Sequence, residues 1–479
     1  MPELLLAIDA GTTTARVCVF SPAGALLARA SAPVMSKSPA PGRVEQDAEA
    51  IWRTTRRLIR SALAAVGRAP GDVAAIGVTT QRTSLLAWDR QTGRPLGPMI
   101  VWSDLRGAGR ALELQAAGYP IAPQQAAAKL EALLASTPEA AALTTAGRLA
   151  VGNIDAFLVF KLSGGAVHAT DRSQAWPMGY LNLADLGWNR ALLDLQGLDE
   201  AILPRLVDTW GPIGATVARV FGAQVPIAAI IADQQSALIG HGAEAPGQVK
   251  VTYGTSATLD VGTGGGFVFC GPSTPPFVVS HVAGETRFCL EGMVFSAGSA
   301  VDWVRRTFGF GDYARFEALA ASAADSGGVA FLPALQGLGA PRPDPGRRAM
   351  LVGMSGATGP AQIARAALEG VALRVVDILE HITGATDLPA PTVLKVDGGL
   401  AASDTLLQIQ ADLTGLPVAR HALRDGAAAG AAIGAGRGAG VLAESDVATF
   451  TRHDRVFEPV IAAHEALARR EAWRAEVNA

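Results

Sequence analysis

Lysine is scarce in this chain: five of its 40 basic residues are Lys (37, 129, 161, 250 and 395), and none follows a glycine. A Gly-Lys phosphate loop is therefore excluded, and any phosphate site must be of another type. Cysteine is equally rare. Cys18, Cys270 and Cys289 are too few and too scattered for a disulfide framework or a Cys-rich zinc site, and read as small apolar residues in a reducing compartment. The seven histidines form no pair three or four residues apart and no His-Glu-x-x-His, which argues against zinc catalysis. No Gly-x-Ser-x-Gly elbow is present either; Gly254-Thr255-Ser256-Ala257-Thr258 ends in Thr and argues against a serine hydrolase.

Excess charge is lacking too. The formal net charge of −3 gives no basis for bulk binding to nucleic acid or to a polybasic-seeking membrane surface. The most apolar internal run, Val225 to Ala232, is far short of a membrane span. At the start of the chain, Glu3 and Asp9 flank an apolar run too short for a signal peptide. A soluble cytoplasmic protein is the expectation.

What is present begins with Leu4-Leu5-Leu6-Ala7-Ile8-Asp9-Ala10-Gly11-Thr12-Thr13-Thr14-Ala15-Arg16, continuing through Val17 to Phe20. The pattern predicts strand, phosphate-sized turn, strand, with Gly11 allowing close approach and the Thr hydroxyls and amides supplying donors. Asp9, at the strand end, is a candidate metal ligand; the plain alternative is a Thr-rich hairpin. A further strand is expected at Leu26–Ala32, then an amphipathic helix from about Asp47 to Val66. The apolar stretch Val73–Thr80 ends in Gln81-Arg82-Thr83, at the kind of strand end where α/β sheets meet ligands. Leu85–Asp89 then reads as a strand followed by a turn leading to Pro98–Asp104, and mostly helical, Ala-rich segments are expected after that to about Leu162.

The second half repeats this grammar. Pro226–Ala232 reads as a buried strand delivering Asp233-Gln234-Gln235, and Val249–Val261 repeats strand, Gly-Thr turn, strand. With 479 residues two domains are the default, and the echo predicts duplicated α/β domains with a boundary near residue 242, dividing the chain into 1–242 and 243–479. Thr392–Val396 is a further strand leading into Asp397-Gly398-Gly399, ahead of a helix starting near Ser403; the Gly pair permits close approach to a ligand. The segment Gly426 to Gly440 reads as a tightly packed small-residue helix rather than a linker. Its loose dinucleotide fingerprint, Gly434-Ala435-Gly436-Arg437-Gly438-Ala439, follows no expected strand.

Taken in order, Ile8 to Arg16, Thr80-Gln81-Arg82, Ile100-Val101-Trp102-Ser103-Asp104, Asp233-Gln234-Gln235, Thr252-Tyr253-Gly254-Thr255, Ala297-Gly298-Ser299 and Val396-Asp397-Gly398-Gly399 resemble the FGGY carbohydrate kinases, and within them the glycerol kinase-like branch. The resemblance extends nearly to the end of the chain, as far as Arg455-Val456-Phe457-Glu458-Pro459. It implies two ribonuclease-H-like α/β domains of the actin/Hsp70/sugar kinase kind around a central ATP cleft. It further implies Mg²⁺ as cofactor and transfer of the γ-phosphoryl group of ATP to a substrate hydroxyl. The N-terminal domain would bind substrate and phosphate, the C-terminal domain nucleotide. By the same resemblance Asp233 is the general base and a metal-site residue with Asp9. Thr12, Thr13, Thr14, Arg16 and Thr255 hold phosphate oxygens; Gly298, Asp302, Gly399 and Ser403 match nucleotide contacts; Arg82, Trp102 and Gln234 match the substrate wall. For Trp102 a plain core position competes, and for Asp233 a strand-end cap.

Three positions depart from the glycerol kinase pattern. Thr83 replaces a Glu after Gln-Arg, Gln124 stands where that branch carries a Tyr, and Thr258 stands where an aromatic would line the pocket. These changes imply a more polar and roomier pocket, suited to a longer polyol or a sugar. A pentulose (xylulose or ribulose) kinase is the alternative, and a catalytically inactive kinase-like binding or regulatory protein is the alternative of another class. A homodimer or tetramer is the assembly to look for.

Overall fold

The computed structural model describes residues 3–423 and 425–478, and the chain forms two compact units. The first runs to Gly240 and also takes Phe277–Thr286 and Ala427–Phe450; the second holds the rest, beginning at His241.

The main sheet of the first unit contains β1 (Leu4–Ala10), β2 (Thr14–Phe20), β3 (Leu26–Pro33), β4 (Val73–Thr80), β5 (Trp210–Ala215) and β6 (Pro226–Ala232). Their order is β5-β6-β4-β1-β2-β3. β1 and β6 each pair with β4 in parallel, whereas the β1–β2, β2–β3 and β5–β6 ladders are antiparallel. Every residue of β1 is buried, which is why its sequence is an apolar run and not an alternation. β3, at the edge, alternates half-buried and exposed positions. Helix α1 (Ala48–Ala65) buries Ile51, Trp52, Leu58, Ile59 and Leu63 on one face, and the Asp47 side chain caps it by accepting from Ala50 N–H at 2.9 Å.

A second, five-stranded sheet in this unit includes Leu85–Asp89 and Leu149–Asn153, paired antiparallel. The latter strand interrupts the segment expected to be helical to Leu162. Its apolar residues are short enough for either state, and pairing with Leu85–Asp89 decides it. Helix α2 (Ala126–Ala135) packs beside this sheet.

The second unit repeats the plan. β7 (Val249–Tyr253), β8 (Ala257–Gly264), β9 (Glu285–Val294), β10 (Leu394–Asp397), β11 (Val418–His421) and β12 (His453–Phe457) lie in the order β9-β8-β7-β10-β11-β12. Again the hairpin strands are antiparallel, the next two join in parallel, and the last is antiparallel. The two Gly-Thr turns, after β1 and after β7, thus occupy equivalent places in two sheets of the same order. Helices α3 (Gly298–Thr307), α4 (Tyr313–Ser322), α5 (Pro360–Ala385) and α6 (Asp404–Thr414) cover the second unit.

The small-residue helix α7 (Gly426–Gly438) is explained by packing. Within the first unit, a Cβ at Gly430 would lie 1.8 Å from the Ser236 carbonyl oxygen, and one at Gly438 would lie 2.2 Å from that of Ala228. The glycines let this helix seat against backbone, so the loose dinucleotide fingerprint is a packing stripe.

Candidate active site

In the first unit, three parallel strands end side by side. Asp9 on β1 is opposite Thr79 on β4, Ala10 is opposite Thr80, and Thr80 is opposite Ala232 on β6. Asp233 follows Ala232 directly and opens the helix Asp233–Gly240. Two carboxylates therefore stand at strand ends separated by one strand, roughly 10 Å apart across the sheet at the usual interstrand spacing.

The turn after β1 is closed by Gly11 N–H donating to the Thr14 carbonyl at 3.1 Å, and a Cβ at Gly11 would lie 3.2 Å from that oxygen. Asp9 and Arg16 are cross-strand partners, and Arg16 Nη1 donates to Asp9 Oδ2 at 2.9 Å. The guanidinium orients the carboxylate. Thr13 is exposed at the turn's tip and Thr14 is half-buried. Thr12 links this turn to the wall beside it. Its hydroxyl accepts from Trp102 Nε1 at 2.9 Å and donates to Gln81 Oε1 at 3.2 Å, while its carbonyl accepts from Gln46 Nε2 at 2.7 Å. Gln81 also donates to Gln46 Oε1 at 2.9 Å and accepts from Ser84 Oγ at 2.9 Å, and Ser84 Oγ accepts from Trp102 N–H at 3.2 Å. Trp102 is half-buried, and this network holds its indole against the Thr12 turn.

Arg82 Nε lies 3.8 Å from Asp233 Oδ1, and the Arg82 guanidinium sits 4.8 Å from the centre of the Phe277 ring. This stacking is of cation–π geometry and holds the cation beside the carboxylate. Behind Asp233, Ala232 N–H donates to Ser173 Oγ at 2.9 Å, Ser173 donates to Asp171 Oδ1 at 2.8 Å, and Thr209 Oγ1 donates to Asp171 Oδ2 at 2.9 Å. Gln174 Nε2 donates to the Thr80 hydroxyl at 2.9 Å and to its carbonyl at 3.1 Å, fixing the end of β4. Thr83 is buried with φ of 51°, a left-handed conformation costly for a β-branched residue. Gln234 begins the helix beside Asp233. Gln124 is exposed on the turn before α2.

In the second unit, the Gly254–Ser256 turn is joined to the start of α3. The Thr255 carbonyl accepts from Ala297 N–H at 3.0 Å and Ser299 N–H at 3.1 Å, and the Gly254 carbonyl accepts from Gly298 N–H at 3.0 Å. A Cβ at Gly298 would stand 2.5 Å from the Gly254 oxygen, and one at Gly398, whose φ is +94°, would stand 2.4 Å from the Tyr253 oxygen. Both glycines are thus required by close backbone approach. The Thr255 side chain is exposed, whereas Thr258 is buried, opposite Thr252 in the β7–β8 ladder. Beneath the turns, Thr252 Oγ1 donates to Asp397 Oδ1 at 2.6 Å, and Gly426 N–H donates to Asp397 Oδ2 at 3.0 Å. Burial opposes the charge on Asp397, but His241, Lys250 and Thr252 outweigh it and hold the carboxyl below the usual carboxylate range. Burial pushes His241 down to about 4 against the pull of Asp397.

Two residues matched to nucleotide contacts have their side chains engaged within the unit. Asp302 receives Arg305 Nη2 at 2.6 Å and Arg306 Nε at 2.9 Å, and the bond from Arg305 lowers its pKa against burial. Ser403 caps α6, accepting from Leu406 N–H at 3.0 Å and donating to Glu317 Oε2 at 2.6 Å; Gly399, just upstream, is exposed. Sequence reasoning did not single out Gln46, Ser84, Ser173, Gln174, Phe277 or Glu317, because nothing local marks them.

Among the described residues no group of three or more His, Cys, Asp or Glu side chains forms a metal cage. Asp9, a strand-end carboxylate beside the Gly11–Thr14 turn, would suit Mg²⁺, which favours one or two carboxylates completed by phosphate oxygens and water. No helix is long and apolar enough to cross a membrane.

Comparison with known proteins agrees with this architecture. The N-terminal domain model of the FGGY family of carbohydrate kinases matches residues 4–240, and the C-terminal domain model matches 249–439. A glycerol kinase from Aromatoleum aromaticum is 42% identical, the alignment covering 99% of this chain and 98% of that protein. One from Thermus brockianus is 38% identical over the same coverage, 99% and 98%. Among solved structures, Plasmodium falciparum glycerol kinase with ADP superposes with a TM-score of 0.90 at 25% identity, covering 98% of this chain and 97% of that one. Both halves of the chain match, at domain scale and in order, and the chain belongs to the FGGY family of carbohydrate kinases.

Proposed function

We propose that this protein, an alcohol-group phosphotransferase by family, transfers the γ-phosphoryl group of ATP to a hydroxyl of glycerol or of a similar, somewhat larger polyol. The observation that carries the reading is Asp233, delivered to a parallel strand end with Arg82 Nε 3.8 Å away and the Trp102 wall in the same unit. Asp233 accepts the proton of the attacking hydroxyl, and Arg82 binds the acceptor beside it. Thr13, Thr14 and the amides of the Gly11 turn receive phosphate oxygens, with Arg16 adding charge; Thr12 contributes mainly by fixing Trp102 to that turn. Asp9 holds Mg²⁺ or its waters, and when bound the ion neutralises phosphate charge. The Gly254-Thr255 turn, Gly298 and Gly399 form the nucleotide side, for which residues 243–479 are the nucleotide-binding domain and 1–242 the substrate and phosphate domain.

The glycerol kinase names of the curated relatives make glycerol the first acceptor to test. Thr83, Gln124 and Thr258 extend the panel to longer polyols and ketoses. The test is ADP release over glycerol, four- and five-carbon polyols, xylulose and ribulose, with Asp233→Asn as control. The expected result is release stimulated by glycerol or a polyol, and a fall in kcat of about 10²–10⁴-fold in the variant. No stimulation by any acceptor defeats the reading, and a variant as active as wild type removes Asp233 from the role of base.

A further inference from the structure

We propose that Lys129 is a positioning residue of the acceptor pocket: its buried ammonium group ties together the main-chain carbonyls of Thr83, Val101 and Trp102 and so sets the directions in which Arg82 and Trp102 project. The inference rests on the acceptor reading given above, and it concerns a residue that makes no contact with the reacting atoms.

Lys129 lies on α2 and is 0% exposed. Its Nζ donates to the Val101 carbonyl at 3.1 Å and to those of Thr83 and Trp102 at 3.4 Å each. An ammonium has three N–H donors, and here three acceptors converge on it from two loops. One loop follows β4 and carries Gln81, Arg82 and Thr83; the other follows the short strand Met99–Ile100 and carries Trp102. The Val101 carbonyl also accepts from Asp104 N–H at 3.0 Å, so the lysine joins that turn to the carbonyls of Thr83 and Trp102. Thr83, with φ of 51°, is the joint between Arg82 and Ser84, and a left-handed Thr persists only where its surroundings fix it from several sides. The Lys129 bond to its carbonyl is one of those constraints.

Burying a lysine without a bonded carboxylate is costly, and its pKa records this. Burial pushes Lys129 down to about 7, Asp104 acting to raise it and Arg106 to lower it. Asp104 and Arg106 are the charged groups that face it; on its own helix, Glu131 is paired with Arg110 at 2.6 Å. A methionine would fill the same space without this cost, so stability alone does not account for the charge. Placement of the acceptor wall does.

The experiment compares wild type, Lys129→Gln and Lys129→Met at pH 7, measuring kcat and the KM for glycerol and for MgATP, with near-UV circular dichroism as a folding control. The expected outcome is a rise in glycerol KM of about tenfold or more for Lys129→Met, a smaller rise for Lys129→Gln, and a MgATP KM within about twofold of wild type. A glycerol KM unchanged in folded Lys129→Met overturns the inference. So does an equal loss in both KM values, which marks a merely structural role. If neither variant folds, the wild-type pH profile decides. Glycerol KM should rise between pH 6.5 and 8.5 as the ammonium loses a donor while MgATP KM holds steady, and a flat profile overturns the inference. Wild-type protein inactive with every acceptor would instead defeat the kinase reading, and this inference with it.

Discussion

At the scale of single residues, the chain spends buried charge where it braces the strand ends. Asp155 is fully buried and accepts from Thr170 Oγ1 at 2.6 Å; burial raises its pKa to about 7, with the nearby Asp171 carboxyl adding to the shift. Between about pH 4 and 7 the folded protein therefore keeps a proton that the unfolded chain has released, and stability falls as pH rises through that window. Asp155→Asn keeps an acceptor for Thr170 but cannot ionise. In urea melts the variant is expected to be more stable than wild type at pH 8, with the difference shrinking at pH 5. His168 has the opposite sign. Burial pushes it down to about 3, so between about pH 6.5 and 3 only the unfolded chain takes up the proton, and stability falls as pH falls. His168→Gln should flatten that acid limb in the same melts.

At the scale of elements, the glycines of α7 and α5 look alike in sequence but differ in what surrounds them. In α7, a Cβ at Gly430 would stand 1.8 Å from the Ser236 carbonyl, which belongs to the helix opened by Asp233. Backbone cannot yield as a flexible side chain can, so Gly430→Ala is expected to destabilise by about 2 kcal/mol or more. Gly384, in α5, is exposed and has nothing within 4 Å of an added Cβ. Gly384→Ala should stabilise by about 0.5–1 kcal/mol, because alanine loses less backbone freedom in a helix. Thermal or urea unfolding of the two variants checks both directions. The start of α6 is a similar case of local bracing. Glu317 on α4 receives Ser403 Oγ at 2.6 Å and Thr405 N–H at 2.8 Å, which ties the helix after the Gly398-Gly399 loop to its neighbour.

At the scale of the whole molecule, ligand linkage reports on the close backbone approach around Gly298 in the second unit. Nucleotide bound only by the folded state stabilises it by about 2.7 kcal/mol at a concentration a hundred times Kd. Wild type is expected to show a rise in Tm with MgATP, and Gly298→Ala, whose Cβ would press on the Gly254 carbonyl at 2.5 Å, should lose most of that rise. Thermal shift with and without MgATP checks this, and an unchanged shift would remove the Gly254–Gly298 contact from nucleotide binding.

Much of this was legible in the sequence. The two strand, Gly-Thr turn, strand units, the strand delivering Asp233 and the amphipathic helix from about Asp47 follow from apolar runs, glycine and helical spacing, all of which act over a few neighbouring residues. The family resemblance extended that reading to the order of motifs along the chain. What only the tertiary structure decided depends on partners far apart in the chain. Leu149–Asn153 became a strand because Leu85–Asp89 offered it a ladder, and α7 joined the first unit because its glycines fit that unit's backbone. Thr12 was tied to Trp102 and Gln46 rather than left wholly to solvent, and Lys129, one of five lysines, was placed beneath the loops of Thr83 and Trp102. Periodicity fixes which residues are apolar on one face; which polar groups meet is set by packing between segments distant in sequence, and no local pattern encodes that.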